Sequence, residues 1–156
     1  MNIPSSNKPE TQPENQICIA RQPILDRRCN VVAYELLFRK LGDEVAEIVN
    51  NDTATINVVI NAFSNIGIET LLGGKKAYIN FDSTLLKSDV IKILPKDKIV
   101  IELLETIHVD DELLSSLRQL HGEGFRFALD DFTQRKDLQL LYPFVETVKL
   151  DILLHE

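Results

Sequence analysis

The chain has no apolar run of the roughly 18 residues that a membrane-spanning helix requires. It also has no run or one-sided stripe of lysine and arginine, and its formal net charge is −7. Duplex DNA and anionic membranes, which demand clustered positive charge, are therefore poor partners. A small anionic ligand stays open, because a bound divalent cation can reverse the local charge of an acidic cleft. The first sixteen residues, MNIPSSNKPETQPENQ, lack the apolar segment of a signal peptide. Their Pro, Ser, Asn and Gln content predicts a flexible tail over 1–16 and, by default, a cytoplasmic location. Cysteine is scarce. Cys18 and Cys29 fall on a predicted hairpin, with Cys18 opposite Leu37 and Cys29 at the turn. That spacing is far beyond the reach of a disulfide, so both are expected to be reduced and structural.

What is present suits one folded domain: 156 residues, 44% of them hydrophobic and 26% charged. Residues 17–24 and 31–38 are short, apolar and rich in β-formers around LDRRCN, which predicts a hairpin turning at Arg27-Arg28. Apolar residues at Ile56, Val59, Ile60, Phe63 and Ile66 predict a helix over 53–66, capped by Asp52 or Thr53, before Gly73-Gly74 breaks the chain. Strands follow at 77–81, 98–104, 125–130 and 145–150. Between them helices are expected from Ser83 to Leu94, from Asp110 or Asp111 to just before Gly122 and Gly124, and around 136–141. Strand and helix in alternation, with no hairpin after the first, predict parallel β/α units and an α/β sheet or barrel.

In parallel α/β folds the C-terminal ends of the strands converge on one face, where chemistry is done. Each predicted strand here finishes on a polar or metal-capable side chain: Asn80, Glu102, Asp130 with Asp131, and Lys149 with Asp151. The steps between Asn80, Glu102, Asp130 and Lys149 are 22, 28 and 19 residues, each about one β/α unit. Glu35 adds a carboxylate inside the apolar run YELLF. Any one acid after a strand is most often a helix cap or a solvated loop residue. Glu35, Asn80, Glu102, Asp130 and Asp131 together are harder to dismiss, because crowded carboxylates repel one another unless something neutralises them. One or two hard cations, Mg²⁺ or Mn²⁺, suit such a set. His108, His121 and His155 show no such alignment and read as surface or capping residues.

These residues also resemble a family. ARQPILDRRCNVVAYELLFR resembles the opening of EAL domains, which hydrolyse cyclic di-GMP to the linear dinucleotide. Gln22-Pro23-Ile24 matches its Gln-Pro-Ile, Glu35-Leu36-Leu37 stands at Glu-Ala-Leu, and Arg39 is the arginine beyond it. YINFDS, VIELLET, FALDDF and VKLD resemble later segments of the same family through Asn80, Glu102, Glu105, Asp130, Asp131, Lys149 and Asp151. YELLFR and the ARQPI opening resemble the branch in which an EAL-like domain precedes an HDOD domain. The resemblance implies a partial (β/α)₈ barrel of TIM type, entered by a β-hairpin, over 17–156. It implies Glu35, Asn80, Glu102 and Asp130 as metal ligands, with Asp131 serving a second ion. Lys149 would position the attacking water, and Gln22 and Arg39 would contact the dinucleotide.

Three departures from the family pattern bear on activity. Leu36 replaces the alanine of the signature. Thr133-Gln134-Arg135-Lys136 follows Asp130-Asp131-Phe132 where active members carry a glycine-rich loop, whose positive-φ conformations are costly for other residues. The family's later Ala-Glu-Gly-Val-Glu and Gln-Gly segments do not occur, and a full barrel takes about 250 residues. The expectation is an incomplete or catalytically degenerate module that binds cyclic di-GMP or acts through a protein partner or homo-oligomer. The alternative is part of an active phosphodiesterase.

Overall fold

The computed structural model describes residues 17–40, 56, 59–61, 63–130 and 135–150. The expectations for residues 1–16, Asp52, Thr53, Asp131, Asp151 and His155 fall outside that range. Strands β1 (Ile17–Leu25) and β2 (Val31–Lys40) form the expected antiparallel hairpin. Its turn is organised by Asp26, whose carboxylate accepts hydrogen bonds from the backbone N–H of Arg28 and Asn30 at 2.8 and 2.9 Å. Such an Asx turn lets the chain reverse without glycine, although Cys29 is carried into the left-handed region at φ 61°. The reversal is centred between Arg28 and Cys29, one residue later than expected, with a register shift at Ile24/Leu25. Cys18 therefore lies opposite Arg39 and not Leu37. Both cysteines are free and exposed, so neither fills a core position.

Four further strands follow: β3 (Lys76–Phe81), β4 (Ile99–Leu103), β5 (Arg126–Leu129) and β6 (Val145–Val148). Each pairs in parallel with the one before it, giving one six-stranded sheet in sequential order. All five residues of β4 are buried, which is why IVIEL reads as an unbroken apolar run apart from its glutamate. The helix of residues 111–122, α3, is capped by Asp110, whose carboxylate accepts from Leu113 N–H at 2.7 Å. Its buried Leu113, Leu117 and Leu120 share one face at helical spacing and join a core with Ile79, Phe81, Ile101, Leu103, Phe127 and Leu129.

The helices before α3 depart from expectation. Helical backbone at Ile56 and Val59–Asn61 is followed by a wide turn at Phe63–Gly67 and by α1 (Ile68–Leu72). The helical segment thus runs beyond Ile66 as far as Gly73, where φ 55° ends it. The single helix expected over 83–94 is two pieces, α2 (Ser83–Leu86) and a 3₁₀ turn at Asp89–Ile93. Ser88 divides them: its hydroxyl accepts from Val90 N–H, starting a new cap in mid-segment. The segment around 136–141 is a longer 3₁₀ stretch, Asp137–Phe144. Among the described residues no helix is long and apolar enough to cross a membrane.

The sheet is strongly rolled. Side chains on β2 and just beyond β6 meet directly, Glu35 with Lys149 at 2.8 Å. Four inter-strand spacings in a flat sheet would hold those backbones about 19 Å apart, farther than the two side chains can span. Tyr78 on β3 likewise reaches Thr147 on β6, hydroxyl to hydroxyl, at 3.4 Å. The architecture is a mixed α/β sheet, mostly parallel and curled toward a barrel, that does not close among the described residues.

Candidate metal and ligand site

Strand alternation gathers the polar residues. In β3, Ala77, Ile79 and Phe81 point into the layer shared with the helices, so Tyr78 and Asn80 take the opposite, concave face. Register carries that face across the sheet, from Glu35 beside Tyr78, through Asn80 beside Glu102, to Glu102 beside Ala128 and Ala128 beside Thr147. Two residues further along, Asp130 and Lys149 extend the same rows. Their positions are fixed by backbone hydrogen bonds, Asp130 N–H to Leu103 C=O at 2.9 Å and Lys149 N–H to Leu129 C=O at 2.8 Å.

At the centre of this face stands the Lys149 ammonium. Its Nζ lies 2.8 Å from Glu35 Oε2, 2.8 Å from Glu102 Oε1 and 2.8 Å from Asp130 Oδ1. The three carboxylates offer oxygens that all lie within 4.8 Å of one another. The Glu102 side chain is fully buried, while Lys149 is 27% exposed, so the cluster opens to solvent on the lysine's side. Two buried oxygens here, Asn80 Oδ1 and Glu102 Oε2, have no hydrogen-bond partner.

The electrostatics follow from that geometry. Burial pushes the Glu102 carboxyl up from 4.5 to about 7; the ammonium of Lys149 pulls the other way, and the charges of Glu35 and Asp130 add to the rise. For Lys149, burial works against the charged form, but hydrogen bonds to Asp130, Glu102 and Glu35 outweigh it and raise its affinity for the proton. With all four groups ionised, three negative charges face one positive charge.

The donor set fits a hard divalent cation. Magnesium, manganese and calcium take oxygen ligands, carboxylates and amide carbonyls above all. Glu35, Glu102 and Asp130 supply the former, and Asn80 Oδ1 is an amide oxygen already stripped of water and left without a donor. An unsatisfied buried acceptor costs roughly 1–3 kcal/mol, and a cation beside Asn80 and Glu102 would relieve two of them.

The remaining expected residues are placed less tightly. Gln22 sits on β1 directly opposite Glu35 and is exposed. Arg39 lies in β2, opposite Cys18. One residue acquires a part that sequence reasoning missed. Arg135, two residues before Asp137, donates to the carbonyls of Glu105 at 2.5 Å and Ile107 at 3.2 Å and pairs with the Asp137 carboxylate. It ties the segment after β5 to the loop after β4. The Arg-x-Asp spacing was the only sequence signal for it, and a weak one.

Comparison with known proteins bears on this arrangement. No protein-family profile matches the chain. The uncharacterized protein YuxH of Bacillus subtilis is 39% identical over 143 residues, 88% of this chain and 35% of YuxH. The cyclic di-GMP phosphodiesterase CdgJ of Vibrio cholerae is 34% identical over 137 residues, 86% of this chain and 32% of CdgJ. Among solved structures, Klebsiella pneumoniae BlrP1 in complex with manganese and cyclic di-GMP superposes with a TM-score of 0.71 at 24% identity, over 94% of this chain and 43% of that one. The chain carries an EAL-type domain. It spans about a third of the length of the curated relatives it matches. Glu35, expected from the resemblance at the signature tripeptide, is one of the three carboxylates around Lys149.

Proposed function

We propose that this EAL-type domain serves cyclic-di-GMP signalling by holding a divalent cation, Mg²⁺ or Mn²⁺, and the dinucleotide without efficient turnover. The observation that carries the reading is the pair of orphaned buried oxygens, Asn80 Oδ1 and Glu102 Oε2, beside a cluster of three carboxylates. An ordinary buried ion pair leaves no such acceptors unsatisfied. Glu35, Asn80, Glu102 and Asp130 would hold the cation, with Asp131 available to a second. A cation held there supplies Lewis acidity toward a phosphate and lowers the pKa of bound water. The chain's own side chains set the rest: Glu102, buried, fixes the floor of the site, Lys149 presents an ammonium at its solvent side, and Gln22 and Arg39 contribute polar contacts for the dinucleotide.

Slow turnover is supported by the segment after Asp130. It contains no glycine through Lys136, and Arg135 itself donates to the carbonyls of Glu105 and Ile107. The second reading, an active phosphodiesterase, is favoured by the retained carboxylate set and by the likeness to the Vibrio cyclic di-GMP phosphodiesterase CdgJ. Titration calorimetry with cyclic di-GMP and Mn²⁺, coupled to chromatography of the nucleotide, separates the two. Metal-dependent binding with no linear dinucleotide supports the first reading. Accumulating linear product establishes the second, and no binding at all sinks both.

A further inference from the structure

We infer that Lys149 is a built-in competitor for the cation: its ammonium occupies the carboxylate cluster in the metal-free protein and must leave before a divalent ion can enter. The inference rests on the metal-binding reading above and adds a residue that sets how tightly, and when, the metal binds.

The argument begins with donor arithmetic. A lysine ammonium has three N–H donors and no acceptor. All three of its hydrogens have a carboxylate in reach, at 2.8 Å each, from Glu35, Glu102 and Asp130. Charge-assisted hydrogen bonds of this length are the strong class; two, to Glu35 and Glu102, converge on Nζ, and Asp130 adds an ion pair at 2.8 Å. A cation of any kind at the centre of those oxygens would stand where Nζ now stands, because the oxygens lie within 4.8 Å of one another and leave room for only one such centre. Metal and ammonium therefore exclude each other.

Lysine is also an incomplete occupant. Held among the three carboxylates, it leaves Asn80 Oδ1 and Glu102 Oε2 bare. A divalent ion accepts six or more oxygens and has no such limit. The ammonium thus keeps the carboxylates gathered while leaving unsatisfied acceptors that favour its replacement. Lys149 is 27% exposed and sits just past β6 on a flexible four-carbon stem, so it can swing outward without moving the backbone. Glu102, by contrast, has no solvent side to retreat to.

Exchange, not simple filling, has a measurable signature. Removing the ammonium removes the competitor, so Lys149→Met should bind Mn²⁺ roughly tenfold or more tightly than the wild-type chain. Lys149→Arg keeps a cation in the cluster and should stay weak. If Lys149 only positions groups around an already seated metal, Lys149→Met binds Mn²⁺ no more tightly than wild type.

The test is Mn²⁺ affinity by electron paramagnetic resonance on the full chain, with circular dichroism to establish that each variant is folded. Tighter binding by Lys149→Met alone supports the exchange. Equal or weaker binding by a folded Lys149→Met overturns the exchange and leaves the metal site standing. Absence of Mn²⁺ binding in both wild type and variant overturns the metal reading and the exchange together. Should Lys149→Met fail to fold, ¹⁵N resonances of the wild-type lysine ammonium decide the matter. A protected Lys149 signal that moves to the position of a solvated lysine on adding Mg²⁺ supports exchange, and a signal that stays protected overturns it.

Discussion

Asn80 and Glu102 are register partners on neighbouring parallel strands, and each leaves one buried oxygen without a hydrogen bond. That is an expensive pairing for a structure with no use for it. Asn80→Leu removes one bare acceptor and nearly preserves side-chain volume. The metal-free variant should gain on the order of 1 kcal/mol in urea unfolding, the penalty of one unsatisfied polar atom. Its Mn²⁺ affinity should fall roughly tenfold or more, since one oxygen ligand is lost. A variant that is less stable and binds metal as before would mean that Asn80 has a hydrogen-bonding, and not a ligating, place in the fold.

Glu102 gives the metal-free protein a pH dependence of definite sign. Its folded pKa, about 7, stands above its ordinary 4.5, so between those values the folded chain holds a proton that the unfolded chain has lost. Stability must therefore fall as pH rises from 4.5 to 7, by about 3 kcal/mol, and level off above. The other resolved shifts act elsewhere. Asp26, Asp89, Asp110 and Asp137 are lowered, and Lys87, Lys92, Lys149 and Arg135 are raised. Glu102→Gln should flatten the curve across that window. Chemical denaturation at pH 5, 6 and 7 in a chelating buffer measures it, and a slope that persists in Glu102→Gln assigns the effect to another group.

How far the sequence foretold this site depends on the kind of signal each residue leaves. Asn80, Glu102 and Asp130 each close an apolar strand, and period-two alternation alone puts them on one face. The roll of the sheet is a different matter. Nothing in VKLD says that Lys149 will reach Glu35, since that contact depends on how five strands accumulate twist and curl. The split of the 83–94 helix was equally hidden, because a serine with helical apolar neighbours is silent until its hydroxyl chooses the backbone of Val90. The hairpin register differs from expectation by two positions, of which the irregularity at Ile24/Leu25 accounts for one. Arg135 left almost no trace, because a guanidinium bonded to backbone carbonyls needs no particular residue type opposite it.

Arg135 can be tested through stability. Its guanidinium satisfies the carbonyls of Glu105 and Ile107, and Asp137 holds the guanidinium in place. Arg135→Ala should destabilise the chain and lower its Tm, a loss moderated by solvent exposure. Asp137→Asn removes only an exposed ion pair and should lower Tm by clearly less than Arg135→Ala does. Equal losses in the two variants would place the weight on the ion pair and not on the strap across the two loops.

Leu36 closes the question of whether the signature tripeptide can simply be restored. Glu35 and Leu36 are neighbours on β2 and so face opposite ways, the glutamate to the concave site and the leucine to the core, where it is 2% exposed. Leu36→Ala recreates Glu-Ala-Leu but strips a branched side chain from a packed layer. Such truncations cost about 2–5 kcal/mol, through lost burial and the cavity left behind. The expected outcome is a chain destabilised by about 3 kcal/mol. Its Mn²⁺ affinity, measured below the onset of unfolding, should stay within about threefold of wild type, as expected when a change does not reach the site directly. A small stability loss with a large gain in metal binding or turnover would show instead that Leu36 presses on Glu35 through the strand and so limits the site.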